Sequence, residues 1–148
     1  YVTCSQQVKD YLLNTCRGLI YTTAPPPPMI GAMQAAWNLV PSLGKERESI
    51  AHKAAYLRKE LASIGVDTGP SCSHIVPILS CASEDLTEAK SRLEEDGILT
   101  SFIRPPTAPT ARLRVSVNAG HSYSDLDKLA SKLQTPSTPI NPYKKQCS

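Results

Sequence analysis

Three arginines crowd around a proline turn in Arg104-Pro105-Pro106-Thr107 and, shortly after, Arg112-Leu113-Arg114. A guanidinium offers a planar fork of donors that fits a carboxylate or phosphate bidentately, and stiff backbone lowers the entropic cost of holding it ready. The group therefore reads as an anion grip. Spacing alone favours a plainer alternative, in which the same arginines are surface charges on a half-exposed strand.

The elements that must carry these side chains follow from periodicity. Leu113, Val115 and Val117 alternate with Arg114, Ser116 and Asn118, which predicts a strand over Arg112 to Asn118 with its polar set turned outward. Further strands are expected at Ile98 to Ile103 and around Ile75 to Leu79, separated by a helix from Glu84 to Glu95 capped by Ser83 and ended at Gly97. Ile50, Ala54, Leu57, Leu61 and Ile64 recur at alternating gaps of four and three, the mark of one apolar helical stripe, with Gly65 as its C-terminal cap. That stripe is expected to lie against protein beyond this chain and to favour self-association. Ser124 is the expected cap of a last helix bearing Leu126, Leu129, Ala130 and Leu133.

Nearer the N-terminus, Val8, Tyr11, Leu12 and Thr15 give a short amphipathic helix, Leu19-Ile20-Tyr21 reads as extended, and Pro25 to Pro28 as a polyproline II lead-in to a helix over Met29 to Val40. Residues 134 to 148, rich in proline and polar side chains, read as a loose tail. The order of elements predicts an α+β fold, an antiparallel sheet with helices on one face preceded by a long linking helix.

Composition narrows the functions. The 148 residues are 41% hydrophobic and 20% charged, the balance of a globular domain. Sixteen basic residues against thirteen acidic ones leave a net charge of +3, with no basic run longer than Lys144-Lys145, so nothing marks a nucleic-acid partner. Apolar stretches fall short of the ~18 residues a membrane span requires. Five cysteines at irregular spacing, without a C-x-x-C pair, read as reduced thiols and point to an intracellular, cytoplasmic setting.

Longer motifs change the balance at the arginines. The run Ile103-Arg104-Pro105-Pro106-Thr107-Ala108-Pro109, then Ala111-Arg112-Leu113-Arg114 and Asn118-Ala119-Gly120-His121, resembles a signature of the α-oxoamine synthases, pyridoxal-phosphate (PLP) acyltransferases of fold type I, in its 8-amino-7-oxononanoate synthase form. Asn14 to Pro28 and Ser71 to Ile78 are similar to two further motifs of that family, in the same order. The likeness spans roughly residues 1 to 133.

The resemblance implies a division of the chain and of its labour. Residues 1 to 44 would be a remnant of the large PLP-binding domain with the start of a linker, 45 to 133 the small C-terminal domain, and 134 to 148 a tail. Arg114 would hold the α-carboxylate of the amino-acid substrate, Arg104 would join that carboxylate later in the reaction, and Thr107 lies beside it in the same loop. Thr23 and Thr22 would reach the PLP phosphate of a neighbouring subunit, which implies a homodimer; without the resemblance they are a turn before the prolines. The implied reaction condenses an amino acid, taken as L-alanine, with an acyl-CoA and releases carbon dioxide, a step of the biotin pathway.

Three departures bear on this. The stretch from Pro109 to Arg112 is two residues shorter than the family pattern, His74 stands where the family has glutamine, and the cofactor's lysine is expected a few residues before Tyr1. The chain alone is then expected to be inactive, as a piece of a truncated or split enzyme. The competing expectations are a non-catalytic partner or regulatory subunit of a full-length paralogue, and a piece of a serine palmitoyltransferase-like synthase.

Overall fold

The computed structural model describes residues 2–80 and 83–134, which fall into two compact units divided between Ser42 and Leu43. The tail expected at 134 to 148 lies, apart from Gln134, outside the described residues.

The first unit carries three helices, α1 (Gln6–Thr15), α2 (Arg17–Ile20) and α3 (Pro27–Leu39), followed by a 3-10 turn at Val40–Ser42. Ser5 caps α1 by accepting from the Val8 amide. The segment expected to be extended at Leu19 to Tyr21 instead ends a helix, with Tyr21 as its C-cap, because the amides of Leu19 and Ile20 both bond the Cys16 carbonyl and that of Tyr21 bonds Arg17. The proline run is also shorter as a lead-in than expected. Pro26 keeps extended angles (φ −62, ψ 143), but Pro27 and Pro28 form the first turn of α3, where a missing N–H costs no helical bond. None of the residues in these helices is buried within the unit.

The second unit builds the core. Helix α4 (Gly44–Ser63) leads into strand β1 (Ile75–Leu79), helix α5 (Ser83–Glu95), strands β2 (Ser101–Ile103) and β3 (Arg112–Ser116), and helix α6 (Tyr123–Leu133). The sheet is antiparallel with order β1-β3-β2, so β3 is central and β2 is a three-residue edge. Val76, Ile78, Leu113 and Val115 point to one face and are buried with Leu57 and Leu61 of α4, Leu86, Ala89 and Leu93 of α5, and Leu126, Leu129 and Leu133 of α6. Helices thus cover one face only, as the alternation required.

The apolar stripe of α4 therefore lies in this unit's own core rather than against protein beyond the chain, and the expectation of an open face there is overturned. Its C-terminus closes as expected: Gly65 takes φ +79, Val66 donates to the Leu61 carbonyl at 2.9 Å and Gly65 to Ala62 at 3.0 Å. Gly97 repeats that closure after α5 with φ +77, Ile98 donating to Leu93 and Gly97 to Glu94. With residues 97 and 98 used in this way, β2 begins at Ser101 instead of Ile98. Strand β3 ends at Ser116 rather than Asn118, since Asn118 turns to serve the following loop. Ser122, not Ser124, caps α6: its hydroxyl accepts from the Asp125 amide while the Asp125 carboxylate accepts from the Ser122 amide.

Candidate carboxylate-binding site

Strand β3 places its arginines by parity. Leu113 and Val115 fill the core, so Arg112, Arg114 and Ser116 emerge on the face that carries no helix of this unit among the described residues. Across the ladder Arg114 stands between Pro77 of β1 and Ser101 of β2, and Arg112 between Leu79 and Ile103. This open face is a half-buried apolar floor of Pro77, Leu79 and Ile103 with two guanidinium groups upon it.

The two arginines differ in what they already hold. Arg112 donates through Nε to the Thr110 carbonyl at 3.2 Å and through Nη2 to its hydroxyl at 2.9 Å, which closes the end of the 104–111 loop. Arg114 is exposed and, among the described residues, its side chain makes no hydrogen bond or ion pair. Its fork is unspent, in the central strand, with no acidic side chain opposite it. A carboxylate arriving there would find both donors free.

Arg104 follows the last residue of β2. Its carbonyl accepts from the amides of Thr107 at 3.0 Å and Ala108 at 3.3 Å, so the proline turn folds back on it and brings Thr107 beside it. Its guanidinium lies over the ring of Phe102, with Cζ 5.2 Å from the centroid. Phe102 pairs with Leu113 and packs against the core, on the helix side of the sheet. The three guanidinium groups read together in the sequence are thus divided: Arg112 tied to its loop, Arg114 free on the open face, Arg104 resting at the opposite side of the edge.

Thr22 and Thr23 belong to the first unit, in the connection between α2 and α3. Both are exposed, and neither hydroxyl makes a hydrogen bond among the described residues. His74, immediately before β1, uses its carbonyl to accept from Val117 at 2.9 Å and exposes its ring. His121 closes a loop with Asn118, their side-chain nitrogens 3.0 Å apart, just ahead of the Ser122 cap. Sequence reasoning missed Phe102 and Thr110 as partners of the arginines. An aromatic residue two positions before Arg104 was the signal for the first, since such residues share a strand face; nothing in the spacing marked the second.

The aminotransferase class I and II family model matches residues 1–133. The chain belongs to that family. Within it, a putative 8-amino-7-oxononanoate synthase of Desulfosudis oleivorans is 42% identical over 132 residues, 88% of this chain and 34% of that protein. One of Paramagnetospirillum magneticum is 46% identical over 136 residues, 90% of this chain and again 34% of the relative. The chain spans about a third of the length of the curated relatives it matches. Among solved structures, 8-amino-7-oxononanoate synthase from Francisella tularensis superposes with a TM-score of 0.75 at 21% identity, over 86% of this chain and 38% of that one. Serine palmitoyltransferase from S. paucimobilis, solved with PLP and myriocin bound, gives 0.81 at 23%, over 90% and 34%. The fold is that of part of a fold-type I PLP-dependent transferase.

Family membership implies PLP, and the side chains present fit the edges of such a site. Thr22 and Thr23 offer two hydroxyls with no hydrogen bond among the described residues in the connection ahead of α3; the helix start itself adds no donor, because Pro26, Pro27 and Pro28 have no N–H and the amides of Met29 and Ile30 are spent on the Pro26 carbonyl. Each described lysine, by contrast, sits on a helix: Lys9 on α1, Lys45, Lys53 and Lys59 on α4, Lys90 on α5, Lys128 and Lys132 on α6. Several are engaged there. Lys53 donates to the Ala119 carbonyl at 2.7 Å, Lys128 to that of Asp96 at 2.8 Å, and Lys132 pairs with the Asp96 carboxylate at 2.7 Å, holding it below its usual range.

Proposed function

We propose that this chain serves a PLP-dependent acyltransferase that condenses an amino acid, L-alanine, with an acyl-CoA, releasing coenzyme A and carbon dioxide as 8-amino-7-oxononanoate synthases do. Residues 1–148 contribute its substrate-carboxylate grip and one edge of its phosphate cradle. The observation that carries this reading is the unspent Arg114 fork on the open face of the central strand, in a chain 42% and 46% identical to relatives of that name.

PLP, when bound, supplies an electron sink for the charge left on the amino acid's Cα. The residues of this chain supply position. Arg114 would take the α-carboxylate through both donors and so fix which substituent of Cα faces the cofactor. Arg104 would join that carboxylate as a second donor, with Thr107 beside it as a neutral hydroxyl. Thr22 and Thr23 would donate to the phosphate, from a neighbouring subunit of a homodimer. The lysine that binds the cofactor would come from protein outside residues 1–148, so this chain by itself would be inactive.

The test is amino-acid affinity in the reconstituted enzyme. Arg114→Ala should weaken L-alanine binding by roughly 2–5 kcal/mol, the range for truncating one partner of a buried charge pair. Arg114→Lys should recover only part of the loss, since a point charge cannot reproduce the fork. Unchanged affinity in Arg114→Ala would remove the assignment. Arg104→Ala should act mainly on turnover, weakening L-alanine binding only by the few-fold that a recruited second donor adds; a loss of ground-state binding as large as that of Arg114→Ala would show that their roles are wrongly divided.

A further inference from the structure

The stacking of Arg104 on Phe102 is not needed for the carboxylate reading and works against it. Phe102 shares the helix side of the sheet with its ladder partner Leu113, whereas Arg114, one residue further along β3, faces the other way. A guanidinium over that ring cannot at the same time stand beside Arg114. It is nonetheless held there by the electron-rich ring face, in the absence of any hydrogen bond or ion pair of its side chain among the described residues.

The surroundings leave a route between the two positions. β2 is the sheet edge, so no further strand bars a side chain that passes around it. The turn bonds from Thr107 and Ala108 fix the Arg104 carbonyl but leave its side-chain torsions free. At the other end of the loop, the Arg112 fork on Thr110 fixes the approach to β3.

We propose that Phe102 is a positioning residue that parks Arg104 at the sheet edge, and that a carboxylate bound at Arg114 competes with its ring for the Arg104 guanidinium. This rests on the carboxylate reading given above. Apparent affinity for the carboxylate is then scaled down to the fraction of molecules in which Arg104 is not parked. An exposed cation–ring contact corresponds to roughly a two- to five-fold bias. Phe102 thereby sets how readily the second arginine is recruited without touching the substrate itself.

The 148-residue chain labelled with 15N in arginine permits a test without cofactor or turnover, the Arg104 Nε–H signal being identified by its loss in Arg104→Lys. That signal should be shifted upfield by the ring in the wild type and in Phe102→Tyr, and should lie at an ordinary position in Phe102→Leu. Added L-alanine should move it away from the ring-shifted position, with half-saturation at about two- to five-fold lower concentration in Phe102→Leu. Phe102→Tyr should restore the wild-type value, and alaninamide, which lacks the carboxylate, should move nothing. Identical Arg104 signals in wild type and Phe102→Leu, or equal half-saturation in both, would overturn the parking role while leaving the carboxylate reading intact. An Arg104 signal that is ring-shifted but blind to L-alanine in every variant would overturn the carboxylate role of Arg104 and the competition with it.

Discussion

A guanidinium is defined as much by what already occupies it as by where it stands. Arg112 and Arg114 share the open face of β3, yet the first is committed to Thr110 and the second has no partner among the described residues. Arg112 should accordingly behave as a structural tie. Arg112→Lys and Thr110→Ala are expected to destabilise the chain through the same lost contact, and the double mutant should show a coupling of about 0.5–1.5 kcal/mol, the net value of a hydrogen bond in the fold. Urea denaturation of the four proteins measures it. Strict additivity would mean that the tie does not hold the loop. The sequence showed three arginines and a family motif; parity along the strand, legible in the Leu-Arg-Val alternation, placed two of them. It could not show which was free, because that depends on a backbone carbonyl and a hydroxyl two residues away coming within reach of one fork.

Elements with strong local signals were the ones most fully readable. The α4 stripe, the two glycine closures at Gly65 and Gly97 and the alternation of β3 all appear where periodicity and turn chemistry put them. The misses have a common cause in short-range competition. Leu19 to Tyr21 carries strand-like residues, but the Cys16 carbonyl is close enough to capture two amides and wind one turn of helix. At α6 two serines compete for one cap, and Ser122 prevails because Asp125 stands three residues after it, completing the reciprocal pair of bonds. The Ser122 amide and hydroxyl hold the Asp125 carboxyl below its ordinary pKa. A carboxyl so lowered stabilises the fold above the unfolded value, about 3.9, and loses that contribution as pH falls through its folded value. Asp125→Asn should therefore flatten the acid side of the stability profile, and Ser122→Ala should cost about 1 kcal/mol at neutral pH. Circular dichroism at 222 nm across a pH series tests both. An acid limb that is as steep in Asp125→Asn as in the wild type would contradict the cap's role. Tyr56 of α4 ties the same helix from the other side, donating to Asp127 at 2.6 Å, a bond that raises its phenol to about 12.

Over the whole molecule, the two units contrast in what they bury. Residues 43–134 enclose a continuous core from three helices and one sheet face, while the first unit leaves Trp37 67% exposed and Tyr11 66%. The sequence led to an open apolar face on α4, since a stripe says that the helix is covered but not by what. Among the described residues no helix is long and apolar enough to cross a membrane. The chain spans about a third of the length of the relatives it matches, and the proposal that its cofactor lysine is supplied by other protein belongs to this scale. The most direct measurement is the absorbance spectrum of residues 1–148 after incubation with PLP, borohydride treatment and gel filtration. No retained visible chromophore is expected before reduction and no lysine adduct after it, with both restored when protein carrying the cofactor lysine is added. A yellow, borohydride-fixed adduct at one lysine of the isolated chain would contradict that expectation.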